Sequence, residues 1–326
     1  MDAIFEARDK CLSEMDFPLI AGIINVTPDS FSDGGKYFDV EDALSRATSL
    51  IERGAKILDI GGESTRPGSV EITEEEEIKR IVPVIKAIRE AGIKELISVD
   101  TWRSNVACHA IDAGADIIND ITGLLGDEKM ASVIGEKKSS VIIMFNPIIA
   151  RPDHEGSRMF RKFGYGDAFT LRELEEFSNL SIVDAMKAYF DKSLELAFKC
   201  GIERKRIMLD PGIGFGLTMR ENLELLKSVD IIHQMGYCSF VGVSRKRFII
   251  NMLKNAGFNA DIVSSQGLIE ADNASAFLSA ILASKGVGVL RVHEVDSHYK
   301  ACMIGKAIRN PSSVKDANFS QYKERK

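Results

Sequence analysis

Short apolar, β-branched runs recur along the chain at residues 19–26, 57–61, 96–100, 116–121, 141–144, 206–210, 240–244 and 287–293. Between them the apolar residues fall at helical spacing instead. Ala43, Leu44, Ala47, Leu50 and Ile51 make one stripe, and Ile78, Ile81, Val82, Ile85 and Ile88 another, each opposite a charged face. The repeat is strand then helix, eight times over. Runs that stay apolar without alternating are buried on both faces, and strand–helix alternation pairs strands in parallel through right-handed crossovers. Eight such units predict an α/β protein, a (β/α)8 TIM barrel in a single domain over 1–326, with 1–17 and 311–326 peripheral. A doubly wound open sheet is the alternative arrangement of the same units. Extended loops are expected after strands one, two and five; the segments 147–180 and 255–271 exceed what a minimal barrel requires.

Composition changes this picture little. The chain has 326 residues, 45% hydrophobic and 28% charged, with a formal net charge of -6. Its basic residues are scattered, which argues against a nucleic-acid or anionic membrane surface. The five cysteines (Cys11, Cys108, Cys200, Cys238, Cys302) form no Cys-x-x-Cys pair and are odd in number, so neither a disulfide framework nor a structural zinc site is expected. The opening residues lack the basic start and apolar core of a secretion signal, and no apolar run nears the roughly 20 residues of a membrane span. A cytoplasmic protein is the expectation.

In a barrel of this type the chemistry sits at the C-terminal strand ends and the loops that follow. Those positions carry Asn25; Asp59 with Glu63, Ser64, Thr65 and Arg66; Asp100; Asn119; Met144 and Asn146; Asp210; Ser244, Arg245 and Lys246; and Arg291 with His293. The set is too polar for pure packing. SRKR, residues 244–247, places three cations where a helix is expected to start, against the helix dipole, unless an anion sits there. Asp100, Asn119 and Asp210 each end an apolar strand, and buried carboxylates need donors, so the three together imply a ligand presenting a row of N–H groups. Taken one at a time they have plainer readings, as a helix cap, a loop anchor and a turn anchor.

DPGIGFG, residues 210–216, lets the backbone approach a flat ligand with Phe215 at its rim, or makes a tight turn into a helix. GGESTRPG, residues 61–68, offers Thr65, Arg66 and Pro67 on a polar loop, and the Glu74–Glu77 run behind it is expected to be a dipole-favoured surface feature. INVTPDSFSDGG, residues 24–35, follows the first strand with a polar, Gly-ended loop that carries Phe31.

In chain order, GIINVTPDSFSDGG, DIGGESTRPG, SVDT, NDI, DPGIGFG, GVSRKRF and RVH resemble the successive signatures of the dihydropteroate synthases, in the pterin-binding barrel family. The resemblance covers strand one to strand eight. It implies condensation of 6-hydroxymethyl-7,8-dihydropterin pyrophosphate with p-aminobenzoate, by dissociative loss of pyrophosphate followed by amine attack, and sensitivity to sulfonamides. By motif, Asp100, Asn119, Met144, Asp210 and Lys246 match the pterin side, Asn25, Arg66, Arg291 and His293 the pyrophosphate side, and Asn25 the protein ligand to Mg2+. Phe31, Thr65, Arg66, Pro67, Phe215 and Ser244 match the p-aminobenzoate side, in loops expected to close over the site. The catalytic set implied is Asp100, Lys246, Asp33, Arg291 and His293, with Asp100 and Asp33 facing the cation left by pyrophosphate loss. A homodimer through outer helices is also implied.

This sequence departs from the family pattern where Phe145 follows Met144 in place of His, Leu217 replaces Lys, Arg247 replaces Ser, and Glu294 replaces Asp. A pterin-dependent methyltransferase would share the barrel and the pterin contacts, but has no reason to keep the SRK and RVH anion site. A non-catalytic pterin-binding paralogue is the other alternative.

Overall fold

The structure is a computed structural model, described here for residues 4–13, 16, 18–27 and 40–315. Two short strands come first, β1 (Phe5–Ala7) and β2 (Lys10–Leu12), paired antiparallel. Eight parallel strands follow: β3 (Leu19–Asn25), β4 (Ile57–Gly61), β5 (Leu96–Asp100), β6 (Ile117–Asp120), β7 (Ser140–Met144), β8 (Ile207–Asp210), β9 (Cys238–Gly242) and β10 (Val289–Val292). Each pairs with the next and β10 pairs with β3, so the sheet closes into a barrel. Closure excludes the open-sheet alternative. The expected boundaries shift most at β9, which ends at Gly242 and leaves Ser244 in the loop beyond it.

The strands are apolar without alternation because both faces are covered, yet the two faces differ. Outward positions such as Ile20, Ile24, Leu58, Ile60, Ile97 and Val99 pack beneath the helices in one large cluster. Inward positions are two apart along each strand. They start apolar at the base, with Ala21, Ile57, Leu96, Ile117, Ile142, Met208, Phe240 and Val289 in a separate cluster. One or two inward steps further along they turn polar: Asp59, Asp100, Asn119, Asp210 and Arg291. The barrel interior is thus graded from an apolar base to a polar mouth.

The N-terminal segment is not peripheral, as the sequence suggested. Phe5 and Ala7 are fully buried and join the basal cluster, so the β1–β2 hairpin plugs the bottom of the barrel. Ser140 Oγ donates to the Glu6 carbonyl at 2.7 Å and fixes the hairpin to β7. A fully buried Phe contributes about 1.5–3 kcal/mol, reason enough for so short a hairpin to hold its place. A three-residue strand carries too little periodicity to be read from sequence.

The acidic run after GGESTRPG does open a helix, Glu74–Glu90, with Thr73 as its N-cap. It is not wholly a surface feature. Glu77 is 1% exposed and is paired with the buried Arg103, so the fourth acid of the run belongs to the interior.

Candidate functional site

The strand register sets the site. Asn25 of β3 lies opposite Gly61 of β4, Gly61 opposite Asp100 of β5, and Asp100 opposite Asn119 of β6. On the far side Met144 of β7 lies opposite Asp210 of β8. Side chains at matched register on neighbouring strands sit at one height, so residues far apart in the chain form a ring at the mouth.

Arg291 of β10 holds the centre of that ring. Its Nε donates to Asp59 Oδ2 at 2.5 Å and its Nη2 to Asp100 Oδ2 at 2.7 Å. Asn119 Nδ2 donates to the other Asp59 oxygen at 3.4 Å. The cation expected on the pyrophosphate side is therefore paired with two inward carboxylates in this state. Asp59 is fully buried and belongs to the network, although the motif comparison did not carry it over. The signal was a lone carboxylate inside an otherwise apolar strand.

Burial pushes the Asp100 carboxyl up to about 7, opposed by the Arg291 charge and reinforced by Asp59. The same cause raises Asp210 to about 6, although Gly212 N donates to its Oδ1 at 2.7 Å. That bond realises the turn-anchor reading of Asp210 on one oxygen alone. Asp100 does not cap the following helix, whose N-cap is Arg103. Lys246 donates from Nζ to the Ile213 carbonyl at 2.6 Å and lies over the Phe215 ring, 5.4 Å from its centre. Burial lowers its pKa to about 8, against the pull of Asp210. Gly214 must lack a side chain here: its φ is +89°, and an added Cβ would stand 2.9 Å from Lys246 Cδ. The GIGFG loop and the SRK lysine are therefore built as one unit.

On the opposite rim, His293 accepts or donates at Nδ1 with Ser244 Oγ at 3.0 Å, and its Nε2 is 3.4 Å from Arg66 Nη2. Burial and the surrounding Arg245, Arg291, Arg66 and Lys246 hold its pKa well below the usual imidazole value, so the ring is neutral at pH 7. Arg66 and Lys246 beside a neutral imidazole make this rim a place for an anion, while Arg291 is paired with Asp59 and Asp100. The three-cation reading of SRKR is corrected in detail. Arg245 adopts φ +56° and turns away, its guanidinium gripping Asp272 at 2.7 and 2.9 Å, while Arg247 is exposed and Lys246 alone faces the mouth. Arg46, from the helix after β3, donates to the His293 carbonyl at 2.6 Å and steadies the rim from outside.

Met144 is buried against Trp102, Ile121, Ile148 and Phe163, an apolar wall beside the ring of acceptors. Thr65 and Pro67 are half-buried and Arg66 exposed on the loop between β4 and the helix Glu74–Glu90. Asn25 is half-buried at the end of β3, on the Arg66 and His293 side. Phe31 and Asp33 lie outside the described residues. Among the described residues no cluster of three or more His, Cys, Asp or Glu could hold a metal.

A floor of acceptors, an apolar wall and a cationic rim suit a flat heterocycle carrying an anionic leaving group. The sequence profile of pterin binding enzymes matches residues 21–293. The chain belongs to the pterin-binding enzyme family. Within that family it is 36% identical over 312 residues to dihydropteroate synthase of Bacillus subtilis, covering 95% of each chain. Its fold matches the Xanthomonas albilineans dihydropteroate synthase solved with 4-aminobenzoic acid, at TM-score 0.76 and 30% identity over 95% of this chain and 99% of that one. The Coxiella burnetii dihydropteroate synthase solved with pteroic acid matches at TM-score 0.74 and 29% identity, again over 95% and 99%. The family's shared barrel explains why seven short motifs spread from strand one to strand eight meet at one mouth.

Proposed function

We propose that this chain is a dihydropteroate synthase, a transferase that joins 6-hydroxymethyl-7,8-dihydropterin diphosphate to p-aminobenzoate, giving 7,8-dihydropteroate and pyrophosphate in folate biosynthesis. The observation that carries the reading is the division of one barrel mouth: Asp100, Asn119 and Asp210 at the floor, and Arg66, Lys246 and His293 around the rim. The pterin's amino-pyrimidine edge donates N–H groups to the Asp and Asn oxygens, and Lys246 donates to the ring's acceptor atoms. The diphosphate meets Arg66, His293 and Asn25.

The C–O bond to the pterin methylene breaks heterolytically, and the electron pair leaves with the diphosphate, whose charge the cationic rim stabilises. The Asp100 carboxylate faces the methylene cation left behind. The lone pair of the p-aminobenzoate amine then forms the C–N bond, and the nitrogen sheds a proton. The aryl ring is held by Thr65, Pro67, Phe215 and Ser244, and by motif Phe31 belongs to the same pocket and Asp33 to the cation beside Asp100. Asn25 suits Mg2+, because a hard cation that keeps several waters and borrows diphosphate oxygens needs only one protein oxygen. Bound there, Mg2+ would neutralise leaving-group charge.

The reading is tested by pyrophosphate release. Release should require both substrates and Mg2+ together, and a sulfonamide should inhibit competitively with p-aminobenzoate. Pterin-dependent methyl transfer, or pterin binding with no pyrophosphate release, would overturn it in favour of the methyltransferase or the non-catalytic paralogue.

We also propose a homodimer. The packed helices Ser265–Ser284 and Asp296–Arg309 each expose an apolar pair at i, i+4, Phe277 with Ile281 and Ile304 with Ile308, and Phe277 is 71% exposed. A second copy meeting this face would cover all four side chains symmetrically. Light scattering should give twice the 35.9 kDa chain mass, and Phe277→Glu should halve it. A monomeric wild-type protein would end the proposal. Among the described residues no helix is long and apolar enough to cross a membrane, and the five cysteines are free thiols; a reducing cytoplasm suits both.

A further inference from the structure

The insertion after β7 is long for a barrel connection, yet it is built, not loose. It begins with a short helix, Pro147–Ala150, and ends in the helix Leu171–Asn179, opened by a Thr170/Glu173 capping box. The stretch between them crosses the barrel mouth and seats on its neighbours at glycines. A Cβ on Gly156 would stand 2.5 Å from the Gly216 carbonyl, and one on Gly164 would stand 2.9 Å from Gly126 Cα. Backbone therefore meets backbone, on the GIGFG loop in the first case and on the loop after β6 in the second.

Two side chains at the crossing reach the arylamine walls. The Phe160 ring stacks on Phe215, with centres 6.0 Å apart and planes 22° from parallel. Arg161 pairs with Glu63 Oε2 at 2.6 Å and Glu71 Oε1 at 3.2 Å. Those two acids flank the loop carrying Thr65, Arg66 and Pro67. Glu63 also accepts from Ile72 N at 3.0 Å, closing the loop at its neck. Arg103 reaches Glu63, Glu71 and Glu77 from beneath, so without Arg161 three carboxylates would share one guanidinium. The floor acceptors Asp100, Asn119 and Asp210 sit on barrel strands, and their hydrogen bonds run to Arg291, Asp59 and Gly212, not to these two residues.

We propose that the 147–180 insertion is a buttress for the arylamine side of the pocket, in which Arg161 positions the 64–70 loop and Phe160 positions Phe215. The inference rests on the function proposed above. Both are positioning residues: they preset walls that the second substrate meets, and neither hydrogen-bonds to the three floor acceptors. A wall displaced by about 1 Å can cost up to 10²-fold in reactivity, so a partial effect confined to one substrate is the expected signature.

Two-substrate kinetics on the full-length enzyme test it. Arg161→Ala and Phe160→Ala should each raise KM for p-aminobenzoate by about ten-fold, with KM for the pterin diphosphate within about two-fold of wild type. Arg161→Lys should recover part of the loss, because an ammonium still reaches the Glu63 carboxylate but cannot span to Glu71 as the fork does. Hydrogen exchange should show faster amides over 62–73 in Arg161→Ala, a readout that needs no activity. Equal rises in both KM values, no rise in either, or no rescue by Lys would overturn the buttress. If Arg161→Ala fails to fold, Phe160→Ala and the milder Glu71→Gln carry the same test. Wild-type enzyme without condensation activity would refute the proposed function, whereas active wild type with unchanged variants refutes only the buttress.

Discussion

Asp100→Asn is expected to lower kcat by about 10²–10³-fold, the order found when one preorganised electrostatic partner of a transition state is removed. The amide keeps the volume and one acceptor but loses the charge that faces the developing cation. The wild-type pH profile should carry the same signature. Asp100 titrates near 7, because burial and the neighbouring Asp59 outweigh Arg291, and it loses its charge as pH falls. Lys246 titrates near 8 and loses its charge as pH rises. kcat/KM for the pterin diphosphate should therefore be bell-shaped, falling below about pH 7 and above about pH 8. In Asp100→Asn the acid limb should move down to that of Asp210, about 6. A variant with near-wild-type turnover and an unmoved acid limb would remove Asp100 from the reaction.

Arg291→Ala should be the most destabilising change at the mouth. It strips the partner from Asp59, fully buried, and from Asp100 in one step. Removing one member of a buried charge network typically costs about 3–5 kcal/mol, because the remaining charges are left uncompensated. Urea unfolding at pH 8 should show that loss. It should shrink towards pH 5, because a carboxyl with a raised pKa takes up a proton in acid and sheds its unpaired charge. Arg291→Lys should restore part of the stability, since one ammonium cannot serve two carboxylates with a fixed fork. A midpoint equal to wild type at pH 8 would show that the pairs are not what holds these acids in the barrel.

The eight strands were legible because their apolar runs are continuous, which only strands covered on both faces require. Asp100, Asn119 and Asp210 were legible because a carboxylate or amide ending such a run has no cheap packing explanation. The β1–β2 hairpin was not, since three residues per strand leave no period to detect, and its burial depends on a cavity at the barrel base that exists only after closure. Arg245 was misread for a related reason. A cation at a helix start points to an anion, but its actual partner, Asp272, lies on a helix far along the chain. Asp59 stood in view as a strand-end carboxylate, yet its role depends on Arg291, which barrel closure brings to the same height.

Local pattern by itself determined the order and type of the elements, the height at which each strand turns polar, and the family those motifs belong to. The reason is that period and polarity are carried by neighbouring residues. Tertiary structure alone decided which charges meet. Arg291 lies between Asp59 and Asp100, Arg66 reaches His293, and Arg161 closes the neck of the Thr65–Arg66–Pro67 loop. Each of those pairs joins segments that only the closed sheet and its long insertion bring within a few ångströms, and no spacing along the chain encodes such a meeting.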